Sequence, residues 1–204
     1  ISSYSNAKKI VANSSYTKEL MHASLKIDYG KIIVIHPGID IYEGFISIKD
    51  EEKIASIIKN KSPIITTLAR IEKRKGHKYV MNALKELKKE FPDILYLIGG
   101  KGPYLKEIRR YANEIGIQQN VFFLGWITEP EKSLVLKNSN LFVMTPSIVG
   151  ESVEGFGMAF IDAAFHGIAS IGTDSGGISD AIINHETGLL CTAEDQDDIT
   201  YKIK

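Results

Sequence analysis

The chain has 204 residues, of which 44% are hydrophobic, enough for one sizeable core and too many for a disordered chain. Basic and acidic residues balance at 25 each, so no overall charge draws the protein to nucleic acid. The single cysteine, Cys191, excludes a disulfide framework within the chain and favours a reducing compartment. Its apolar neighbours predict a small buried side chain.

Short apolar, β-branched runs alternate with longer segments of helical periodicity. This alternation predicts an α/β fold, a doubly wound, Rossmann-like parallel sheet covered by helices. The predicted strands are 32–36, 63–69, 94–98, 121–124, 141–144, 168–172 and 188–191. The predicted helices are 51–59, 77–90, 103–115, 130–138, 157–165 and 177–183.

Four polar or glycine-rich loops follow predicted strands, at 70–76, 99–103, 126–129 and 145–157. In doubly wound sheets, ligands bind beyond the carboxyl ends of the strands. We therefore expect these loops to converge on one ligand-binding edge.

The last of these loops leads into a predicted helix through Glu154, Gly155, Phe156 and Gly157, and Asp162 follows within that helix. Glycines let backbone N–H groups approach a ligand, and a helix N-terminus carries partial positive charge. The pattern suits an anionic, hydroxyl-rich ligand such as a nucleotide-linked sugar. A plainer interpretation is that Glu154 stabilises the helix dipole, and both can hold together.

Arg70 and Lys75 lie far upstream on a separate loop. They provide two cations suited to a diphosphate, one a bidentate fork and the other a point charge. The alternative is a solvated charged turn, which is the commoner fate of a charge run and is favoured by spacing alone. We keep that alternative for Lys73 and Arg74.

Together these motifs resemble the retaining glycosyltransferases of the GT-B fold, specifically family 4, also called glycosyl transferases group 1. The donor-binding half of that family carries an E-x7-E pattern, which reads Glu154-x7-Asp162 here. Further stretches occur in the family's order at 31–40, 67–76, 99–103, 121–125 and 187–190, so the resemblance covers nearly the whole chain.

The resemblance implies that the chain is the C-terminal half of a GT-B fold. Residues 1–30 are then the tail of an N-terminal, acceptor-binding domain with its linker, and 31–204 form the donor domain, truncated at its last helix. Because the first residue is not Met and the last residues fall in a helical segment, we expect a fragment of a longer protein. We expect the fragment to be inactive alone, since half of the cleft is missing.

The resemblance also assigns roles to the candidate residues. Arg70 and Lys75 neutralise the departing nucleoside diphosphate, and Glu154 faces the donor sugar with the backbone of residues 155–157. Asp162 stands where the family usually has a glutamate that holds the ribose hydroxyls, and aspartate is one methylene shorter.

The segment 126–132 resembles the family's nucleobase-facing loop. Main-chain groups near Ile127, together with Glu129 or Lys132, are then expected to read the base edge, although Glu129 has the alternative of simply starting a helix. We expect Trp126 to pack within the protein rather than to stack on a ligand.

The predicted activity is transfer of a hexose from a nucleoside-diphosphate sugar to a saccharide or lipid-linked glycan bound through the missing domain. GDP-mannose is the first choice of donor, because 149–157 resembles mannosyl-transferring members, and a UDP-sugar is the second. Two alternatives stay open. One is a degenerate, non-catalytic nucleotide-sugar binding module, motivated by Asp162 and by Asp180 at another family glutamate position; the other is a GT-B sugar-nucleotide epimerase.

We expect no metal and no cofactor besides the donor substrate. Asp195 and Asp197 have a D-x-D spacing, but at the start of a helix they are expected to cap it. The five histidines are scattered, with no metal-ligand spacing among them. No apolar run is long enough to cross a bilayer, so we expect a cytoplasmic protein without nucleic-acid partners, with peripheral association at the inner membrane face left open for the full protein.

Overall fold

The computed structural model describes residues 4, 6–40 and 44–204. Their strands are β1 (Ile10–Ala12), β2 (Ile32–Val34), β3 (Ile64–Leu68), β4 (Leu95–Gly99), β5 (Val121–Gly125), β6 (Leu141–Val143), β7 (Ser170–Thr173) and β8 (Gly188–Cys191). Their α-helices are α1 (Ser15–Leu25), α2 (Ile48–Ile58), α3 (His77–Leu87), α4 (Leu105–Glu114), α5 (Glu129–Lys137), α6 (Met158–Phe165), α7 (Ile178–Ala181) and α8 (Gln196–Ile203). Short 3-10 turns span Tyr29–Lys31, Lys73–Lys75 and Gln118–Asn120.

Six strands form one parallel sheet in the order β5-β4-β3-β6-β7-β8. Strands β1 and β2 pair with each other, also in parallel, in a separate small sheet. The predicted α/β fold with a parallel sheet flanked by helices is confirmed. The predicted boundary between residues 30 and 31 falls between two strands of the small sheet, and it stays a prediction.

Helices cover both faces of the large sheet, because alternate side chains of a strand point to opposite faces. In β4, Tyr96 and Ile98 pack with α3, α4 and α8 in one core cluster. Leu95 and Leu97 pack on the other face with Ile54 of α2 and Val135 of α5. The same strand thus contributes to two cores, which explains its continuous apolar run.

Several predicted boundaries shift, and local capping explains the clearest shift. Helix α2 begins at Ile48, three residues earlier than predicted, because the Ser47 side chain accepts a hydrogen bond from Asp50 N. Strand β2 ends at Val34, two residues earlier than predicted. The predicted cap at Asp195 is confirmed, since its side chain accepts from the N–H groups of Asp197 and Asp198.

The lone cysteine is buried at the end of β8, as predicted. Burial raises the pKa of the Cys191 thiol to about 12, which keeps it protonated. Across the described ranges, none of the helices combines the length and the apolar composition that a bilayer-spanning segment requires.

The chain reverses its direction of sheet growth between β3 and β6. From β3 the sheet grows outward through β4 to β5, and the next strand, β6, then joins on the other side of β3. Such a switch point opens a crevice beyond the carboxyl ends of the two central strands. The loops that leave β3 and β6 are those that carry Lys75 and Glu154.

Candidate active site

The two loops touch at the switch point through the backbone of Gly76. Its φ is +76°, and a Cβ there would lie 2.1 Å from Thr145 Oγ1. Thr145 Oγ1 donates to Gly76 O at 3.2 Å, and Ser147 N donates to Arg74 O at 2.8 Å. Glycine is therefore required where the loop after β3 meets the loop after β6.

Three charged side chains gather at this contact. Lys75 Nζ donates to Glu154 Oε2 at 2.5 Å, and Arg74 Nη1 donates to the same oxygen at 3.3 Å. The Lys75 side chain is 9% exposed, and those of Arg74 and Glu154 are each 16% exposed. Because water screens them poorly, these charges interact strongly with one another and with any anion that enters.

Arg70 occupies the outer part of the same loop, with a side chain that is 72% exposed. Its Nε lies 3.1 Å from Glu72 Oε1, while Glu72 Oε2 accepts from Arg74 Nε at 3.1 Å. The charges therefore alternate along a chain from Arg70 through Glu72 and Arg74 to Glu154 and Lys75. Arg70 and Lys75, predicted to act on one diphosphate, belong to one network but stand at its two ends.

The interpretation of Arg74 as part of a solvated turn is wrong. In a 3-10 turn, successive side chains point about 120° apart, so Lys73, Arg74 and Lys75 take three directions. Packing against the loop after β6 turns the last two inward and leaves Lys73 exposed.

The predicted glycine turn leads from Glu154 into α6. Phe156 is buried, and its ring stacks on that of His36, with centroids 5.2 Å apart and an interplanar angle of 27°. Gly157 is the N-cap of α6 and has no side chain to satisfy the first N–H groups of that helix. These groups and their partial positive charge therefore lie beside Glu154.

A second charged cluster joins α5 to α6. Lys132 Nζ lies 2.7 Å from Glu129 Oε2 and 3.0 Å from Asp162 Oδ1. Burial opposes the charged ammonium, but hydrogen bonds to the two carboxylates outweigh it and hold the pKa of Lys132 above its usual value. The structure thus brings together three residues predicted to bind the donor, and they line a narrow pocket with Ile39 and Asp40.

The residues before α5 are placed differently from one another. Ile127 is half-buried, close to the backbone of Gly99 at the carboxyl end of β4. Trp126 is 72% exposed, so the expectation that it packs within the protein is wrong. It follows Gly125, the last residue of β5, which is an edge strand of the large sheet.

His77, the first residue of α3, is buried directly behind the charged cluster. Its Nδ1 lies 3.2 Å from Tyr96 Oη, and its Nε2 has no hydrogen-bond partner among the described residues. Burial, with a smaller contribution from the charge of Lys75, lowers the pKa of His77 to about 4. The imidazole is therefore neutral near pH 7, and the site keeps its two cations without a third behind them.

Within the described part of the chain, no three His, Cys, Asp or Glu side chains come close enough together to hold a metal ion. The prediction that the protein needs no metal is not tested by this arrangement and stays a prediction. The chemistry available at the switch point is that of paired cations, carboxylates and free helix N–H groups, which suits a phosphate-bearing, hydroxyl-rich ligand.

Solved glycosyltransferases share this fold. HepE from Anabaena, in complex with UDP and glucose, superposes with a TM-score of 0.78 at 20% identity, over 95% of this chain and 52% of that one. A glycosyltransferase from Rickettsia africae superposes with a TM-score of 0.79 at 23% identity, over 97% of this chain and 52% of that one. At these identities the likeness establishes the fold, which is that of GT-B glycosyltransferase structures.

Sequence relatives point to a family. The chain is 31% identical to a GDP-mannose-dependent alpha-(1-6)-phosphatidylinositol monomannoside mannosyltransferase of Mycolicibacterium smegmatis, over 69% of this chain and 37% of that protein. It is 24% identical to the mouse alpha-1,3/1,6-mannosyltransferase ALG2, over 91% of this chain and 46% of that protein. The chain therefore spans less than half the length of these two relatives. The family model for glycosyl transferases group 1 matches residues 48–204, and the chain belongs to that family.

Proposed function

We propose that this chain is the donor-binding, C-terminal domain of a retaining glycosyltransferase of family 4. The observation that carries the proposal is the contact of Lys75 and Arg74 with Glu154 at the switch point. The proposal assigns residues 1–30 to the preceding acceptor domain and its linker, and 31–204 to the donor domain. We expect this chain to bind the donor without turning it over by itself.

The diphosphate of the donor binds in the alternating charge network. It brings negative charge to the cations that Glu154 neutralises in the free protein, so Lys75 and Arg74 share their N–H groups between Glu154 and the diphosphate when the donor arrives. Arg70, at the exposed end of the network, releases Glu72 and closes on the outer phosphate with its planar fork. No new charge has to be buried unpaired in this exchange, which keeps its desolvation cost low.

Glu154 holds the sugar of the donor. Both of its ion pairs use Oε2, so Oε1 accepts a hydrogen bond from a sugar hydroxyl while the carboxylate stays fixed. The backbone of residues 155–157 and the free N–H groups of α6 complete the contact. Asp162 binds the ribose, and Lys132 binds the base edge together with Glu129 and the main chain near Ile127. Both contacts form once the donor displaces part of the pairing between Lys132 and Asp162.

In the transfer step, the acceptor hydroxyl attacks the anomeric carbon from the face on which the leaving group departs. The bond between that carbon and the phosphate oxygen breaks, and both electrons go to the phosphate. The acceptor's proton passes to the departing β-phosphate, so no protein nucleophile is needed. Lys75, Arg74 and Arg70 stabilise the negative charge that grows on the diphosphate, which is an electrostatic contribution.

GDP-mannose is the donor we favour, with a saccharide or lipid-linked glycan as acceptor. Relatives that use GDP-mannose are among the most similar sequences, and a UDP-sugar is the second choice. The test is calorimetric titration of the chain with GDP, UDP, ADP and their sugar conjugates. Selective binding of one nucleotide, lost in an Arg70→Ala/Lys75→Ala variant, is the expected result; equal affinity in that variant would remove the phosphate assignment.

A non-catalytic nucleotide-sugar binding module is the second candidate. The observation that favours it is the pairing of the short Asp162 with Lys132, which keeps the carboxylate at α5. An Asp162→Glu variant of the full-length protein discriminates between the two. A large gain from near-zero turnover supports the module, whereas transfer by the wild type with little change on substitution supports the enzyme.

A further inference from the structure

The turn that carries Glu154 is held from outside by the segment that joins β1 to α1. Thr17 Oγ1 donates to Gly155 O at 3.4 Å, and Ser14, buried at the N-cap of α1, lies against Gly177. A Cβ on Gly177 would fall 2.6 Å from Ser14 Oγ, so the Ser14 side chain packs directly on the backbone of Gly177. This segment, residues 13–17, therefore packs on the loops at the carboxyl end of the large sheet.

Two further contacts fix the same approach. Asp180 Oδ2, at the start of α7, accepts from Ser15 N at 2.6 Å and lies 3.0 Å from His36 Nε2. The His36 ring stacks on Phe156 within the glycine turn. One carboxylate thus connects the first turn of α1, the segment after β2 and the turn beside Glu154, so residues 13–17 have a defined position there.

Among the side chains of this segment, Asn13 has the chemistry of a ligand contact. It is exposed, and its Nδ2 lies 3.0 Å from the position that a Cβ on Gly155 would take. No hydrogen bond among the described residues uses its amide, whereas Ser14 and Thr17 bond to each other and to the backbone. The amide therefore offers two N–H donors and an acceptor beside Gly155, the residue that follows Glu154.

We propose that Asn13 contacts the sugar of the bound donor and helps to determine which sugar is accepted. The inference rests on the proposed function, because it requires a sugar at Glu154. An amide donates to one hydroxyl and accepts from another, so it distinguishes hydroxyl orientations that a lone carboxylate does not. The contact depends on Gly155, since any larger residue would fill the space beside the amide.

The test compares affinities for GDP and GDP-mannose, and for UDP and UDP-glucose, in the full-length protein. Asn13→Ala weakens binding of the sugar nucleotide about three- to tenfold, the loss of one or two neutral hydrogen bonds, and leaves the free nucleotide unchanged. Asn113→Ala, which truncates an exposed asparagine of α4, is the matched control and changes neither affinity. Asn13→Asp keeps the shape, removes the donor, and weakens the sugar nucleotide alone in the same way.

An unchanged ratio of the two affinities in both Asn13 variants overturns the proposal. So does an equal loss for nucleotide and sugar nucleotide accompanied by a lower melting temperature, because that result identifies a packing role against Gly155. If the wild type binds none of the four ligands, the proposed donor site fails and this inference fails with it. Binding by the wild type therefore separates the two hypotheses.

Discussion

Replacing Lys75 by methionine tests the charge cluster most directly. Methionine keeps the length of the apolar stem beside Met144 Sδ, which lies 3.8 Å from Lys75 Nζ, and removes the ammonium group with its charge and its N–H donors. Glu154 then retains Arg74 as its partner at 3.3 Å. The variant therefore changes the electrostatics of the site without leaving the carboxylate unpaired.

The magnitude follows from the environment of the ammonium. A hydrogen bond to a charged group contributes about 1.5 to 3 kcal/mol, which corresponds to about a 12- to 140-fold change in Kd. Arg74 remains to bind the phosphate, so we expect the lower part of that range, about 12- to 50-fold. We expect the free energy of unfolding to fall by roughly 1 kcal/mol, because Glu154 keeps its second cation. This loss is smaller than the loss of about 3 to 5 kcal/mol that follows when one partner of a fully buried pair is removed.

The assay is calorimetric titration with the nucleoside diphosphate that binds the wild type most tightly. Lys73→Met is the matched control, since Lys73 belongs to the same 3-10 turn but is exposed, and we expect its affinity to stay within twofold of the wild type. A Lys75→Met affinity equal to the wild type, or the same loss in Lys73→Met, would refute the assignment. A double-mutant cycle with Glu154→Gln measures the coupling of the pair separately in urea denaturation.

Two further predictions concern buried titratable groups. The pKa of His77 is about 4 in the folded chain against 6.5 when solvated; because the folded state then binds fewer protons, stability is present above pH 6.5 and falls as the pH drops towards 4, by on the order of 3 kcal/mol. The urea midpoint of the wild type should therefore fall from pH 7 to pH 4.5, whereas His77→Phe should lack this contribution to the fall. An equal fall in both proteins would contradict the buried neutral imidazole. The Cys191 thiol, with its pKa raised to about 12, should not react with a thiol reagent at pH 8 until the protein is unfolded, and rapid labelling of the native chain would show that β8 opens.

The candidate site was only partly predictable from local patterns. Glycines followed by a helix, two acids separated by seven residues, and cations after a strand are all visible in the sequence, because each depends on neighbours within a few residues. The inward position of Arg74, the pairing of Lys132 with Asp162 and the exposure of Trp126 are not local. Each depends on which element packs beside the residue, and no window of sequence contains both partners.

Periodicity and connection length in the sequence predict the alternation of strands and helices, the parallel sheet and the edge on which the polar loops lie. The tertiary structure brings the loops after β3 and β6 together, since strand order comes from packing and not from local preference. It also brought residues 13–17 against the turn at Gly155, more than a hundred residues further along the chain. Contacts of that range form only when separate cores have packed, which is why Asn13 carried no signal in the sequence.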